Sequence, residues 1–203
     1  MPAVKALGVT GGIGSGKSAA TEILAELGAA VVDADRVGHE TYLPGTPGWD
    51  QVVAEFGREV IAADGSIDRK RLGAIVFADP ARLARLNAIV HPLIRDTVAV
   101  RIAAERRTRR VPAVVVEAAL LVEAKWDALV DEVWLITAQR AAVEQRLGAQ
   151  RGLDRAAIAA RMRAQLSDAE RAARADVVID NSGSLEALRA QLTVLWRERV
   201  LNS

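Results

Sequence analysis

Residues 11–18 read GGIGSGKS and match the pattern G-x-x-x-x-G-K-[ST] at every fixed position. The glycines allow the backbone to wrap closely, so that consecutive N–H groups point at phosphate oxygens, and a helix beginning near Gly16 adds its positive dipole end. Lys17 would reach the β- and γ-phosphates of a nucleotide, and the Ser18 hydroxyl would ligate Mg²⁺. The residues predicted to form this phosphate cradle are Gly12, Ile13, Gly14, Ser15, Gly16, Lys17, Ser18 and Ala19.

Short β-rich runs alternate with helical patterns along the chain. The runs are residues 5–10, 29–33, 113–117, 131–137 and 176–180. This alternation is typical of a parallel sheet wrapped by helices, and the phosphate cradle directly follows the first run. We therefore predict an α/β fold of the three-layer P-loop NTPase type, in a single domain. Two connections, 36–111 and 138–175, are longer than a crossover helix needs, and both carry helical patterns.

Composition narrows the possible function classes. The 203 residues carry 27 Lys and Arg against 26 Asp and Glu, so the net charge of +1 lacks the basic excess usual in nucleic-acid binders. The sequence has no cysteine, which excludes a disulfide framework, a thiolate nucleophile and a Cys-ligated zinc site. We find no secretory leader pattern and no apolar run of about 20 residues. We expect a soluble cytoplasmic protein, a monomer or weak homo-oligomer, with no nucleic-acid or membrane partner.

Two aspartates close the second β-rich run, in the sequence VVDAD at residues 31–35. Side chains alternate along a strand, so Asp33 and Asp35 would share one face if the strand stayed extended that far. Ligands bind at the carboxyl ends of parallel strands, so this pair is expected near the transferred phosphoryl group. One carboxylate would orient and deprotonate an acceptor hydroxyl while its neighbour holds Mg²⁺ through water; the alternative is that an aspartate only caps the next helix.

Several motifs taken together resemble the dephospho-CoA kinase family. They are LGVTGGIGSGKS at 7–18, VDAD at 32–35, HPLIR at 91–95, LLVE at 120–123, RL at 146–147 with RG at 151–152, and ADVVIDNSGS at 175–184. The resemblance covers nearly the whole chain and is much more specific than the phosphate loop alone. The chain departs from the family pattern at Ala119, where proline is frequent, and at Ala19, where threonine is common. Both departures leave the phosphate loop intact.

The resemblance implies ATP-dependent phosphorylation of the ribose 3′-hydroxyl of dephospho-CoA, with Asp35 as the base. We assign Asp33, together with Ser18, to Mg²⁺, and both aspartates to the substrate site. By the same resemblance the inserted helices 36–111 would bind CoA and residues 138–175 would form a lid over ATP. The remaining core would comprise residues 1–35, 112–137 and 176–203.

The predicted lid is rich in arginine, with eight arginines against four acidic residues in 138–175. A solvated helix face accounts for most of them. Phosphoryl transfer nevertheless needs cationic groups around the transferred phosphate, because its chemistry is mostly positioning and charge stabilisation. Arg146 and Arg151 match the family's lid pattern and are our candidates for catalytic arginines.

Three further residues are substrate-binding candidates with structural alternatives. His91 precedes Pro92 and a helix, and it would either contact substrate or serve in capping and packing. Arg95, one turn later, would meet a substrate phosphate or solvent. Glu123 would contact substrate or face solvent, and the sequence does not separate these interpretations.

Other function classes leave different signatures. A nucleoside or nucleotide kinase would share the loop, lid and aspartate, so it is the nearest alternative. A GTPase switch uses an Asn-Lys-x-Asp element, and no asparagine in this sequence is followed by lysine. A nucleotide-binding adaptor without catalysis would have no need of Lys17, Ser18 and the aspartate pair together.

Overall fold

A computed structural model describes residues 3–151 and 166–202. For residues 147–151 it describes the backbone alone. The chain forms two compact units, one from residues 1–33 and 101–203, the other from residues 34–100. The second unit overlaps the region 36–111, whose role as a CoA-binding insertion stays a prediction. Within the described residues, no helix combines the length and the apolar character needed to cross a membrane.

The first unit contains a sheet of five parallel strands. They are β1 (Lys5–Thr10), β2 (Ala30–Asp33), β3 (Ala113–Glu117), β4 (Glu132–Thr137) and β5 (Val177–Asp180). The strand order is β2-β3-β1-β4-β5, with β1 in the centre. The predicted bounds of β1 and β3 are confirmed in full, and the other three strands each begin one residue later than predicted.

Strand β1 shows why the sheet needs helices on both sides. Leu7 and Val9 belong to one buried cluster, while Ala6 and Thr10, which alternate with them, are also fully buried. A strand whose alternating side chains are all buried must be covered on both faces, which explains its continuous apolar sequence. The predicted α/β fold with a parallel sheet flanked by helices is therefore confirmed.

The helices of the described residues follow in chain order. They are α1 (Lys17–Glu26), α2 (Ala34–Glu40), α3 (Pro47–Phe56), α4 (Arg69–Ala78), α5 (Pro80–Thr108), α6 (Arg140–Arg151), α7 (Asp168–Ala172) and α8 (Leu185–Trp196). Short 3₁₀ turns occupy Arg58–Val60 and Trp126–Leu129, and a π-helical turn occupies Arg197–Leu201. Residues 167–170, Ser-Asp-Ala-Glu, have the sequence pattern of a capping box, and the box is present: Ser167 Oγ accepts from the Glu170 N–H, and the Glu170 carboxylate accepts from the Ser167 N–H.

Helices α1 and α8 cover one face of the sheet. Ile23 and Leu24 of α1 and Leu188 and Leu192 of α8 join the same buried cluster as Leu7 and Val9. The spacing of Leu185, Leu188 and Leu192 in the sequence predicts that all three pack on the sheet, but this is wrong for Leu185, which is 54% exposed. It is the first residue of α8, and the buried face of that helix begins one turn later.

A partly buried ionic network ties the end of the chain to the amino edge of the sheet. Lys5 Nζ donates to Glu132 Oε1 at 2.7 Å and to the Arg199 carbonyl at 2.7 Å. The indole N–H of the buried Trp134 donates to the other Glu132 oxygen at 3.0 Å. Burial alone would raise the pKa of Glu132, but the hydrogen bonds from Lys5 and Trp134 and the nearby positive charges outweigh it and lower the pKa below 4.5.

This network predicts a pH-dependent loss of stability in Lys5→Met. A carboxylate whose pKa is lowered by folding stabilises the protein above its unfolded pKa, and this contribution disappears as the pH falls through the folded pKa. We expect the variant to lose about 1–2 kcal/mol of unfolding free energy at neutral pH, and the loss should shrink progressively below pH 4.5. Thermal unfolding of both proteins across a pH series measures the difference.

The matched control is Arg85→Met, which removes a 3.4 Å ion pair between Arg85, 67% exposed, and Glu55. An exposed pair of this kind contributes about 0–1 kcal/mol, so this variant should change little. If the loss of unfolding free energy in Lys5→Met were the same at every pH down to acid unfolding, Glu132 would not be the group whose ionisation depends on Lys5.

Candidate active site

The phosphate loop runs from the end of β1 into the first turn of α1. The Ser15 N–H donates to the Gly12 carbonyl at 3.2 Å, which closes a tight turn within the loop. Gly16 has φ = 95°, a left-handed conformation that favours glycine, and a methyl group there would overlap Nδ2 of Asn181. The helix then begins at Lys17, so its unpaired N–H groups complete an anion-binding concavity.

Lys17 lies against the first residues of this loop. Its Nζ donates to the Gly11 carbonyl at 2.9 Å and to the Gly12 carbonyl at 3.1 Å. These two hydrogen bonds hold the ammonium beside the first two glycines of the loop. The cation is therefore positioned by the loop itself.

Asn181 is the residue that links the loop to strand β5. It is buried, its Nδ2 donates to the Ser15 carbonyl at 2.8 Å, and its N–H donates to the Thr137 carbonyl at 2.7 Å. One side chain thus satisfies a loop carbonyl that would otherwise be buried without a donor. We did not predict this role, although a buried strand followed directly by asparagine marks a polar side chain at the carboxyl edge of the sheet.

Arg146, a predicted catalytic residue, reaches the same place from helix α6. Its Nη2 donates to the Asn181 carbonyl at 2.6 Å. Its Nη1 is buried, has no hydrogen-bond partner among the described residues, and lies 3.7 Å from where a Cβ on Gly16 would stand. The structure therefore brings this guanidinium beside Gly16 of the phosphate loop, with Nη1 left without a hydrogen-bond partner among the described residues.

Ser18 and two carboxylates form the oxygen-rich part of the site. Ser18 Oγ donates to Glu117 Oε1 at 2.9 Å. Glu117 ends strand β3, where it stands in register with Asp33 on the neighbouring parallel strand β2. Hydroxyl and carboxylate oxygens are the donors that Mg²⁺ prefers, and Mg²⁺ sites usually combine one or two carboxylates with phosphate and water. The described residues contain no cluster of three or more His, Asp or Glu that would form an all-protein cage.

The two aspartates do not share a strand. Strand β2 ends at Asp33, and helix α2 begins at Ala34, so Asp35 is the second residue of a helix. We expected Asp33 and Asp35 to share one face only if strand β2 extended as far as Asp35. It does not, because helix α2 begins directly after Asp33. Both side chains are exposed, Asp33 in the first unit and Asp35 in the second.

Glu123 is held by a protein partner instead of facing solvent. Arg171 Nη2 donates to Glu123 Oε1 at 2.8 Å, and the Leu166 N–H lies 3.4 Å from the same oxygen. Arg171 is only 1% exposed, and its Nη1 is 3.6 Å from Asp168 Oδ1. This buried arginine was not distinguished from the other arginines of 138–175, because no local pattern marks one arginine as buried.

His91 and Arg95 lie in the second unit, in the middle of helix α5. We predicted that a helix begins after Pro92, and this is wrong, since Pro92 lies inside the 29-residue helix. The buried face of the helix continues through Val90 and Ile94, while Pro92 is exposed, so packing outweighs the local cost of about 3 kcal/mol for an internal proline. Burial lowers the pKa of His91, which favours its neutral form, and Arg95 is exposed one turn later.

The remaining predicted arginine is Arg151, the last residue of α6. Its side chain lies outside the described residues, as does the part of the predicted lid from 152 to 165. In the described part of the chain, the loop, Lys17, Ser18, Arg146 and the end of β2 belong to the first unit.

Comparison with known proteins identifies the family of the chain. The model of the dephospho-CoA kinase family matches residues 5–187. A dephospho-CoA kinase of Symbiobacterium thermophilum is 47% identical over 194 residues, which cover 96% of this chain and 81% of that protein. The solved dephospho-CoA kinase of Campylobacter jejuni is 25% identical and superposes with a TM-score of 0.73 over 97% of this chain and 98% of its own. A shikimate kinase of Acinetobacter baumannii, 13% identical, shares the fold with a TM-score of 0.57 over 98% of this chain and 95% of its own. With the family model matching most of its length, the chain belongs to the dephospho-CoA kinase family.

Proposed function

We propose that this chain transfers the γ-phosphoryl group of ATP to the 3′-hydroxyl of the ribose of dephospho-CoA, giving coenzyme A and ADP. The observation that carries this proposal is the family match over residues 5–187, which spans a complete phosphate loop and the acidic end of β2. In the transfer, a bond forms between the 3′-oxygen and the γ-phosphorus as the bond to the β,γ-bridging oxygen breaks. The hydroxyl proton leaves to a carboxylate.

The loop residues 12–19 and Lys17 would bind the phosphates of ATP. The backbone N–H groups supply hydrogen bonds without moving, and the ammonium of Lys17 neutralises charge at the β- and γ-phosphates. Arg146 adds a second cation, since its partner-bound Nη2 fixes the guanidinium and leaves Nη1 facing the loop. Arg151 follows it on the same helix and is proposed to act with it when the site is closed.

Magnesium would be held by Ser18 and Asp33, and we add Glu117 to this proposed set because it accepts a hydrogen bond from Ser18. When bound, the ion would neutralise charge on the β- and γ-phosphates. The serine hydroxyl and the paired carboxylates fit such an ion chemically because all are hard oxygen donors. The carboxyl ends of β2 and β3 would hold the two carboxylates in place for this ion.

Asp35 is the proposed base. Its carboxylate would accept a hydrogen bond from the ribose 3′-hydroxyl, orient that oxygen toward the γ-phosphorus and receive its proton. The transition state of phosphoryl transfer is loose, so aiming the hydroxyl matters as much as removing its proton. His91, Arg95 and the helical region 36–111 are proposed to contact the rest of dephospho-CoA. A cytoplasmic monomer or weak homo-oligomer remains our prediction.

The direct test is to incubate the purified chain with ATP, Mg²⁺ and either dephospho-CoA or a panel of nucleosides and nucleotides. Mass spectrometry should find one added phosphate on dephospho-CoA, and digestion should locate it on the 3′-position. Phosphorylated nucleosides with unchanged dephospho-CoA would contradict the proposal and favour the nucleoside kinase alternative.

Arg146→Ala is expected to lower kcat by about tenfold or more while weakening ATP binding less, because its contact would strengthen as charge develops on the transferred group. Arg140→Ala is the matched control. Arg140 begins the same helix but is 77% exposed, and it pairs with Glu144, four residues on. Steady-state kinetics with equilibrium ATP binding measures both variants, and equal, small effects would assign Arg146 to surface charge.

Asp35→Asn should preserve dephospho-CoA affinity and lower kcat at least about 100-fold, which corresponds to about 2.7 kcal/mol of barrier. Asp33→Asn and Glu117→Gln should instead be partly rescued by raising the Mg²⁺ concentration, since they weaken metal binding. Kinetics of the three variants across a Mg²⁺ series separates the roles. If Asp35→Asn were fully active and Asp33→Asn inactive at every Mg²⁺ concentration, the base would be Asp33.

A further inference from the structure

A buried ion pair outside the proposed chemistry joins helix α7 to the loop that follows β3. The guanidinium of Arg171 donates to Glu123 Oε1 at 2.8 Å, and the two side chains are 1% and 19% exposed. Arginine is rarely buried unless it is paired. The capping box at Ser167 fixes the start of α7, so the backbone that presents Arg171 is itself well defined.

Stability alone is a weak reason for this pair. Arg171 Nε and Glu123 Oε2 are both buried and have no hydrogen-bond partner among the described residues. A buried ion pair that leaves such atoms unsatisfied recovers only part of its desolvation penalty, and apolar side chains of similar size often stabilise a protein as well or better. The presence of this ion pair is therefore better explained by the part of the backbone that it holds in place.

The charges around Arg171 also exclude a simple anion site. Glu123 Oε1 is 2.8 Å from its guanidinium and Asp168 Oδ1 is 3.6 Å from it, so two carboxylates surround one cation. The two carboxylates already neutralise the positive charge of Arg171, which leaves it little attraction for a phosphate. Arg171 is thus committed to protein carboxylates and differs from Arg146, whose Nη1 has no such partner in the described residues.

Arg171, the cation of this pair, lies near Gly12 of the phosphate loop. A Cβ placed on Gly12 would stand 3.8 Å from Arg171 Nη1 and 3.7 Å from Asp168 Oδ1. Gly12, Asp168 and Arg171 line the same cleft. Gly12 is also the residue whose carbonyl accepts from Lys17 Nζ. Packing on Gly12 therefore bears on the place of the catalytic ammonium.

We propose that Glu123 and Arg171 are positioning residues: their ion pair holds α7 against Gly12 and so keeps the loop and Lys17 in the geometry that transfer requires. The proposal gives Glu123 a role through Arg171 in place of direct substrate contact. Its effect on turnover rests on the proposed function. The expected effect on nucleotide binding does not rest on the proposed function. Because Lys17 would reach the γ-phosphate, a displaced loop should weaken ATP binding more than ADP binding.

The test compares Arg171→Met, Glu123→Gln, the double variant and Arg171→Lys with the unaltered chain. We expect each neutral variant to lower kcat about tenfold or more, with a smaller change in KM for dephospho-CoA, because small misplacements near the chemistry are costly. We expect each to reduce the preference for ATP over ADP about fivefold or more in equilibrium binding. Arg171→Lys should recover part of both, and the double variant should lose less than the product of the single losses, because the two share one interaction.

The matched control is Arg174→Met, which lies just beyond α7, is 62% exposed and is 3.5 Å from Asp127. Neutral variants that unfold at lower temperature yet match Arg174→Met in kcat and in ATP preference would overturn the proposal, leaving the pair a structural contact. If Arg171→Met failed to fold, Glu123→Gln and Arg171→Lys would decide by the same two measurements. If the unaltered chain did not phosphorylate dephospho-CoA, the proposed function would fail, and the ATP preference alone would decide this inference.

Discussion

A loop that aims its N–H groups at a phosphate must send its carbonyls elsewhere, and each of those carbonyls needs a donor. The structure meets this constraint with side chains from several places. Lys17 donates to the Gly11 and Gly12 carbonyls, the Ser15 N–H also donates to Gly12, and Asn181 donates to the Ser15 carbonyl. The residues that satisfy the loop's carbonyls therefore also serve the proposed phosphate site. Lys17 is itself a proposed phosphate-binding residue, and Asn181 accepts a hydrogen bond from Arg146.

The arrangement of the first unit follows from this requirement. Strand β5 has to end beside the loop so that Asn181 can reach Ser15, and the Asn181 carbonyl then accepts from Arg146. On the other side, Arg171 of α7 packs near Gly12. Segments distant in sequence thus converge on eight residues of loop, which explains why a cradle of backbone groups needs a whole folded sheet to support it.

The sequence predicted the strands well because a parallel sheet buried on both faces demands continuous apolar runs, and no other signal competes with them at β1 or β3. It predicted the loop because that loop depends on local glycine conformations. It failed where the outcome depends on distant packing: Pro92 inside α5, the exposed Leu185, and the burial of Arg171. Glu117 and Asn181 were missed for a different reason. The sequence shows that each stands at the end of a strand, but it does not show which residue each one contacts.

The close approach of Asn181 to Gly16 has a consequence for how such a sequence can diverge. Any side chain at position 16 would occupy the space of the amide, and a smaller residue at position 181 would leave the Ser15 carbonyl without its donor. Each single exchange is therefore harmful before the other can compensate for it. Positions 16 and 181, which are separated by most of the chain, therefore constrain each other's side chains.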